Sequence, residues 1–136
     1  MTTQLAGNPT VRSEDALVRT AMRVDAVLVG VVGIPFVAAA RPLAEWTGIP
    51  QAFVLGLGIF FLVYAVDVYW LAGRDRVAPG AWATIVANEV CTLAALAVVV
   101  LGVWPLTGVG VAALLFSAVY TAVFAAAQWI GLRRLG

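Results

Sequence analysis

The chain contains no histidine, no lysine and a single cysteine, Cys91. Without histidine, a haem on a histidine ligand is excluded and a zinc site of the usual Cys/His type has nothing to build on. One cysteine forms no intrachain disulfide and no C-x-x-C, so membrane thiol–disulfide chemistry is not expected. Charge is scarce as well. Only 11% of the 136 residues are charged, against about a quarter in an average globular chain. A formal net charge of +1 gives no reason to expect nucleic acid as a partner. No motif implies a cofactor.

Apolar length fills the space that charge leaves. Hydrophobic residues make up 63% of the sequence, more than a small soluble domain can bury, because small domains bury the smallest share of their surface. Four apolar runs stand out, at 24–40, 52–71, 81–101 and 109–130. Each has the length of a membrane-spanning helix, about 17–25 residues. None alternates as a barrel strand would. The reading is therefore an all-α membrane protein, an up-down-up-down bundle of four transmembrane helices. Their expected limits are about 16–40, 51–72, 81–101 and 109–132, preceded by a cytoplasmic tail over 1–15.

The arginines set the orientation. Arg12, Arg19, Arg23, Arg74, Arg76, Arg133 and Arg134 fall on one side and Arg41 on the other. The positive-inside rule places both termini in the cytoplasm. The Ala, Val, Gly and Arg usage suggests a GC-rich bacterium, hence the bacterial inner membrane. Residues 1–12 are polar with Gly7, Asn8 and Pro9 as breakers, the composition of a mobile tail. Ser13, followed by Glu14 and Asp15, makes a helix start. The stretch "FVAAARP" reads either as the end of a true span kinked at Pro35 or as a secretory cleavage site. The outer loops carry Trp46 and Trp104 as interfacial anchors. A faint repeat links "TGIPQAFVLGLG" with "TGVGVAALLFSA", each following one of those loops.

Polar residues are few enough to place one by one on helical wheels. In the fourth span Gly110, Ser117, Thr121 and Gln128 fall within about 40° of each other, and Tyr120 lies off that line. Small and weakly polar residues in such a line mediate close helix contact in membranes, with a ligand-binding stripe as the alternative. In the third span Trp82, Ile85, Asn88, Glu89 and Thr92 share a face, with Cys91 nearly opposite among alanines as a packing residue. In the second, Asp67 lies with Gly56, Phe60, Tyr64 and Trp70. In the first, Asp25 sits at the cytoplasmic boundary, and Ala26, Gly30 and Gly33 suit tight packing. Arg19 and Arg23 can snorkel to lipid phosphates. Asp67 and Glu89 lie about 7–8 Å and about 12 Å from the inner ends of their helices.

The candidate polar cluster is therefore Asp25, Tyr64, Asp67, Asn88, Glu89 and Gln128. A charged residue at a span's centre costs about 2.5–3.5 kcal/mol. Asp67 and Glu89, facing each other across a short hairpin, must point inward, pair or protonate. They form an interhelical clamp, a proton or cation site, or a contact to a partner protein.

Sparse motifs give the chain a likeness. Leu43, Ala44, Gly48 and Pro50 precede the second span, Asn88 falls early in the third, and Gln128, Gly131, Leu132, Arg133 and Arg134 close the fourth. Over about residues 25–135 this resembles a type of small bacterial four-helix membrane protein. The resemblance implies the same topology and marks Asn88 and Gln128 as characteristic positions, but it implies no reaction. Small multidrug transporters share the length and helix number. Their essential Glu lies in the first helix, whereas the deep Glu here is in the third, so they serve as an analogy only.

The leading expectation is a non-enzymatic accessory, scaffold or interaction subunit, surrounded by the lipid bilayer and partnered by its own copies or another membrane protein. The alternative is a small proton- or cation-coupled transporter with an Asp67/Glu89 site. An enzyme ranks third, because the carboxylates, Tyr64, Tyr120 and Cys91 provide no nucleophile–base pair.

Overall fold

Five helices and no strand make up the computed structural model, which describes the backbone of residues 9–135 and the side chains of 16–135. They are α1 (Pro9–Ala38), α2 (Ala40–Thr47), α3 (Gln51–Ala72), α4 (Ala78–Leu101) and α5 (Gly108–Arg133). The spans are Ala16–Ala38 of α1 and the whole of α3, α4 and α5, at 23, 22, 24 and 26 residues. Only 17–28% of each span's most apolar stretch is buried within the chain. The outward faces carry Val, Leu, Ile, Phe and Trp. Such a surface suits hydrocarbon, and the chain is a multi-pass membrane protein.

Three boundaries differ from the sequence reading by two residues or more. The helix starting at Ser13 in that reading starts at Pro9, whose fixed φ and missing N–H suit the first helical position. The rest of the expected tail, residues 1–8, lies outside the described residues. Helix α1 also stops short of residue 40. Ala39 leaves helical geometry at φ −128° and ψ 38°, and the expected loop folds instead as α2. That eight-residue helix buries Ala40 and Thr47 and turns Arg41 and Glu45 outward, 3.2 Å apart. Helix α4 starts three residues early, at Ala78, with Pro79 in its first turn.

The spans pack as two close pairs. In the α1–α3 pair, an added Cβ at Gly30 would stand 3.0 Å from that of Ala65, and one at Gly58 would stand 2.8 Å from that of Phe36. Gly33 packs against Phe61 and the Gly58 carbonyl. In the α4–α5 pair, Thr92 and Thr121 share a hydrogen bond of 2.6 Å. Helices α1 and α5 join the pairs, with Gly131 against the Val18 backbone. Helices α3 and α4 are not the tight hairpin expected from their short loop. Their contact is slight, with Leu71 against Gly80 beside the loop.

Two apolar clusters close the ends. At the arginine end Val18, Met22, Ala26, Val68, Ala72, Ala81 and Leu132 pack together. At the far end Ala40, Ile49 and Val54 pack with Phe36, Trp104 and Leu114 around them. The last turn of α2 and the residue before α5 also interlock. The Thr107 N–H donates to the Thr47 carbonyl at 3.0 Å, and its hydroxyl donates to the Trp46 carbonyl at 2.6 Å. The same hydroxyl oxygen caps α5 by accepting from the Gly110 N–H at 3.1 Å. Gly48 sits at φ +80°, which glycine adopts without strain.

The residues expected to mediate helix packing divide. Ala26, Gly30 and Gly33 lie in contacts between elements. Gly56 is a correction, because a Cβ there meets open space. Gly110 packs on the Thr47 carbonyl at the end of α2. Substituting Gly110 with Ala is therefore expected to destabilise the fold by about 1–3 kcal/mol through overpacking. Gly56→Ala should be neutral or slightly stabilising, since Ala is the better helix former. Equilibrium unfolding of both variants in detergent micelles measures the difference.

Candidate functional site

Asp25 is the centre of the polar interior. Its side chain is 0% exposed. Arg19 reaches the last carbonyl of α3, and Asp25 follows six residues further along α1, so it lies about 9 Å inside that end of the bundle. Arg19 and Arg23 interrupt the apolar run in sequence, yet α1 runs through both as helix. Arg19 turns back to the loop after α3, where its guanidinium donates to the carbonyls of Ala72 at 2.7 Å, Arg74 at 2.6 Å and Asp75 at 3.2 Å. A residue that looks like a boundary marker is thus the cap of a neighbouring helix, whose last carbonyls have no internal partner.

Four donors from the other three spans converge on the Asp25 carboxyl group. The Tyr64 hydroxyl of α3 donates to Oδ2 at 2.6 Å. The Tyr120 hydroxyl of α5 donates to Oδ1 at 2.9 Å. The Asn88 amide of α4 donates to Oδ2 at 3.2 Å, and the Gln128 amide of α5 reaches the same oxygen at 3.4 Å. Asn88 also donates to Gln128 Oε1 at 3.2 Å, so the two amides are tied to each other. Two hydroxyls and two amides fill the acceptor sites of a carboxylate without any cation. Among the described residues, every buried side-chain nitrogen or oxygen has a hydrogen-bond partner.

Of the expected cluster, Asp25, Tyr64, Asn88 and Gln128 come together. Asp67 and Glu89 do not. Both are exposed on the outer faces of α3 and α4, and neither has a hydrogen-bond or ion-pair partner among the described residues. The inward arc of α4 runs through Ala81, Thr84, Ile85, Asn88 and Ala95, and Glu89 falls just beyond its edge, one 100° step from Asn88. On α3 the inward arc runs through Val54, Gly58, Val68 and Ala72, and Asp67 falls beyond its edge.

Tyr120 is the member that wheel reasoning set aside. It lies off the line of Gly110, Ser117, Thr121 and Gln128, but a phenol is long enough to reach Asp25 from the side. The available signal was depth. Tyr120 and Gln128 flank the level of Asn88 on the neighbouring helix, two turns apart. The line itself is not a buried seam along its whole length. Ser117 is exposed, and with Thr121 and Tyr120 it lines a lateral groove of about 550 Å³ between α1 and α5, walled by Leu28, Val32 and Phe116.

Chemically, the cluster is a set of mutual hydrogen bonds. Among the described residues, no three Asp, Glu, Cys or His side chains gather in a way that could hold a metal ion. Cys91 is half-buried and free of a disulfide. No family model matches the chain, and no curated protein and no solved structure matches it.

Removing the hub leaves four donors without their acceptor. Asp25→Ala is expected to destabilise the protein by about 2–4 kcal/mol, given roughly 0.6 kcal/mol for an average membrane hydrogen bond plus the penalty of stranded donors. Tyr64→Phe and Tyr120→Phe should each cost about 0.5–1.5 kcal/mol. Asp67→Asn should change monomer stability by less than about 0.5 kcal/mol. Denaturant unfolding in micelles ranks the four variants, and an Asp67→Asn effect as large as that of Asp25→Ala contradicts the assignment of the hub.

Proposed function

We propose that the chain is a non-enzymatic subunit of the bacterial inner membrane, with both termini in the cytoplasm, that works by binding a neighbouring membrane protein or its own copies. The orientation rests on the arginines, seven of which lie within or beyond the ends of α1, α3 and α5 that share one side. One observation carries the interaction reading. The interior polar groups satisfy one another, whereas Glu89 faces outward, eleven residues along α4 and so about 16 Å into the span. In lipid that position costs about 2.5–3.5 kcal/mol for a charged side chain. A donor on an adjoining helix offsets it, and that makes the Glu89 face of α4 a contact surface.

The test is association in the native membrane. Glu89→Gln and Glu89→Leu are expected to leave the fold unchanged and to weaken recovery of the stoichiometric neighbour, whether a second copy or another protein, by about 3- to 20-fold. If both variants retain wild-type association after mild cross-linking and purification, the face is not a contact and the reading fails.

A coupled carrier using Asp67 and Glu89 together has less support, because the two carboxyl groups face outward from different helices. A carrier would have to use Asp25, the one carboxyl group among the described residues that is enclosed by all four spans. In liposomes under a pH gradient the protein is expected to carry no proton flux above protein-free vesicles. A flux that Asp25→Asn abolishes reverses the order of the two readings.

A further inference from the structure

A second concavity lies away from the Asp25 cluster, at the arginine end. It encloses about 880 Å³ where α1, the end of α3 and the start of α4 meet. Its lining includes Arg23, Arg74 and Arg76, the rings of Tyr69 and Trp70, and one acid, Asp75. Three guanidinium groups against one carboxylate make the hollow basic. Among the described residues none of these arginines has a carboxylate partner. Two of them sit over aromatic faces, Arg23 at 6.0 Å from the Tyr69 ring centre and Arg74 at 4.6 Å from that of Trp70. Cation–π contact restricts a guanidinium without using all of its N–H donors, so the fork stays available to an anion.

The site is fixed by its surroundings. Arg19 grips the carbonyls of Ala72, Arg74 and Asp75, which orders the turn that carries Arg74 and Arg76. Gly80 admits Leu71 so closely that an added Cβ would stand 2.9 Å from the Leu71 Cβ, holding α4 against the opposite wall. Snorkelling alone needs neither a hollow nor an ordered turn.

We propose that this hollow binds a phosphate group, and that the group is the headgroup phosphate of an anionic membrane lipid. Arginine forks match phosphate oxygens in pairs. Tyr and Trp rings beside them mark the level of lipid headgroups. Basic pockets between spanning helices are suited to anionic headgroups. Here α1 and α3 offer apolar surface below the hollow for the acyl chains, including the exposed Val24, Val27 and Val66.

The experiment is native mass spectrometry of the full chain in neutral detergent, titrated with phosphatidylglycerol, phosphatidylcholine of the same acyl chains, or inorganic phosphate. Retention of phosphatidylglycerol over phosphatidylcholine is expected. Each of Arg23→Gln, Arg74→Gln and Arg76→Gln should weaken it roughly five-fold, and the three together roughly 100-fold. The double variant Arg133→Gln/Arg134→Gln removes charge from the same end outside the hollow and should stay within about two-fold. An equal loss in that control overturns the proposal, because general surface charge then explains binding. Inorganic phosphate that binds as tightly as the lipid overturns the lipid source and leaves a free phosphate compound as ligand. If the triple variant does not fold by circular dichroism, Arg76→Gln in the exposed turn decides, and unchanged phosphatidylglycerol binding there also overturns the proposal.

Discussion

A single carboxyl group, Asp25, organises the interior. Lipid gives helices little reason to choose one another by hydrophobicity, so packing and polar contacts carry the choice. Here α3, α4 and α5 each send a donor to the same two oxygens of α1. The demand of one buried acid fixes the rotation of all four spans about their axes. The glycine contacts between α1 and α3, and the Thr92–Thr121 hydrogen bond between α4 and α5, set how closely each pair approaches once that rotation is fixed.

The two ends differ in what holds them. At the far end, backbone and threonine hydrogen bonds link the last turn of α2 to the loop before α5. At the arginine end, side chains reach backbone and rings, with Arg19 on three carbonyls and Arg133 at 4.8 Å over the Trp129 ring. The far end is closed by main-chain contact, the arginine end by long cationic side chains that leave a hollow between them.

Much of the architecture was legible in the amino-acid order, because a run of about 20 apolar residues has few alternatives in a bilayer. The limits of α1 were less so. Arg19 looks like the end of a span until its partners on another helix are known, and α2 is too short to announce itself between Ala39 and Gly48. The site was legible in part for a geometric reason. A wheel gives angles between residues but not the direction of the core. Asn88 and Glu89 are one step apart, and only packing decides which of them faces inward. Tyr120 escaped because reach, as well as angle, decides what a long side chain touches.

The Asp25 hub also bears on biogenesis. A ribosome makes Asp25 39 residues before Tyr64, 63 before Asn88 and 103 before Gln128. The first span therefore emerges carrying an acid whose donors do not yet exist. Its release from the insertion machinery into lipid is most favourable once α3 has arrived, and completion of the cluster waits for the last helix. The residue that makes the finished bundle specific also makes the half-made one dependent on its order of assembly.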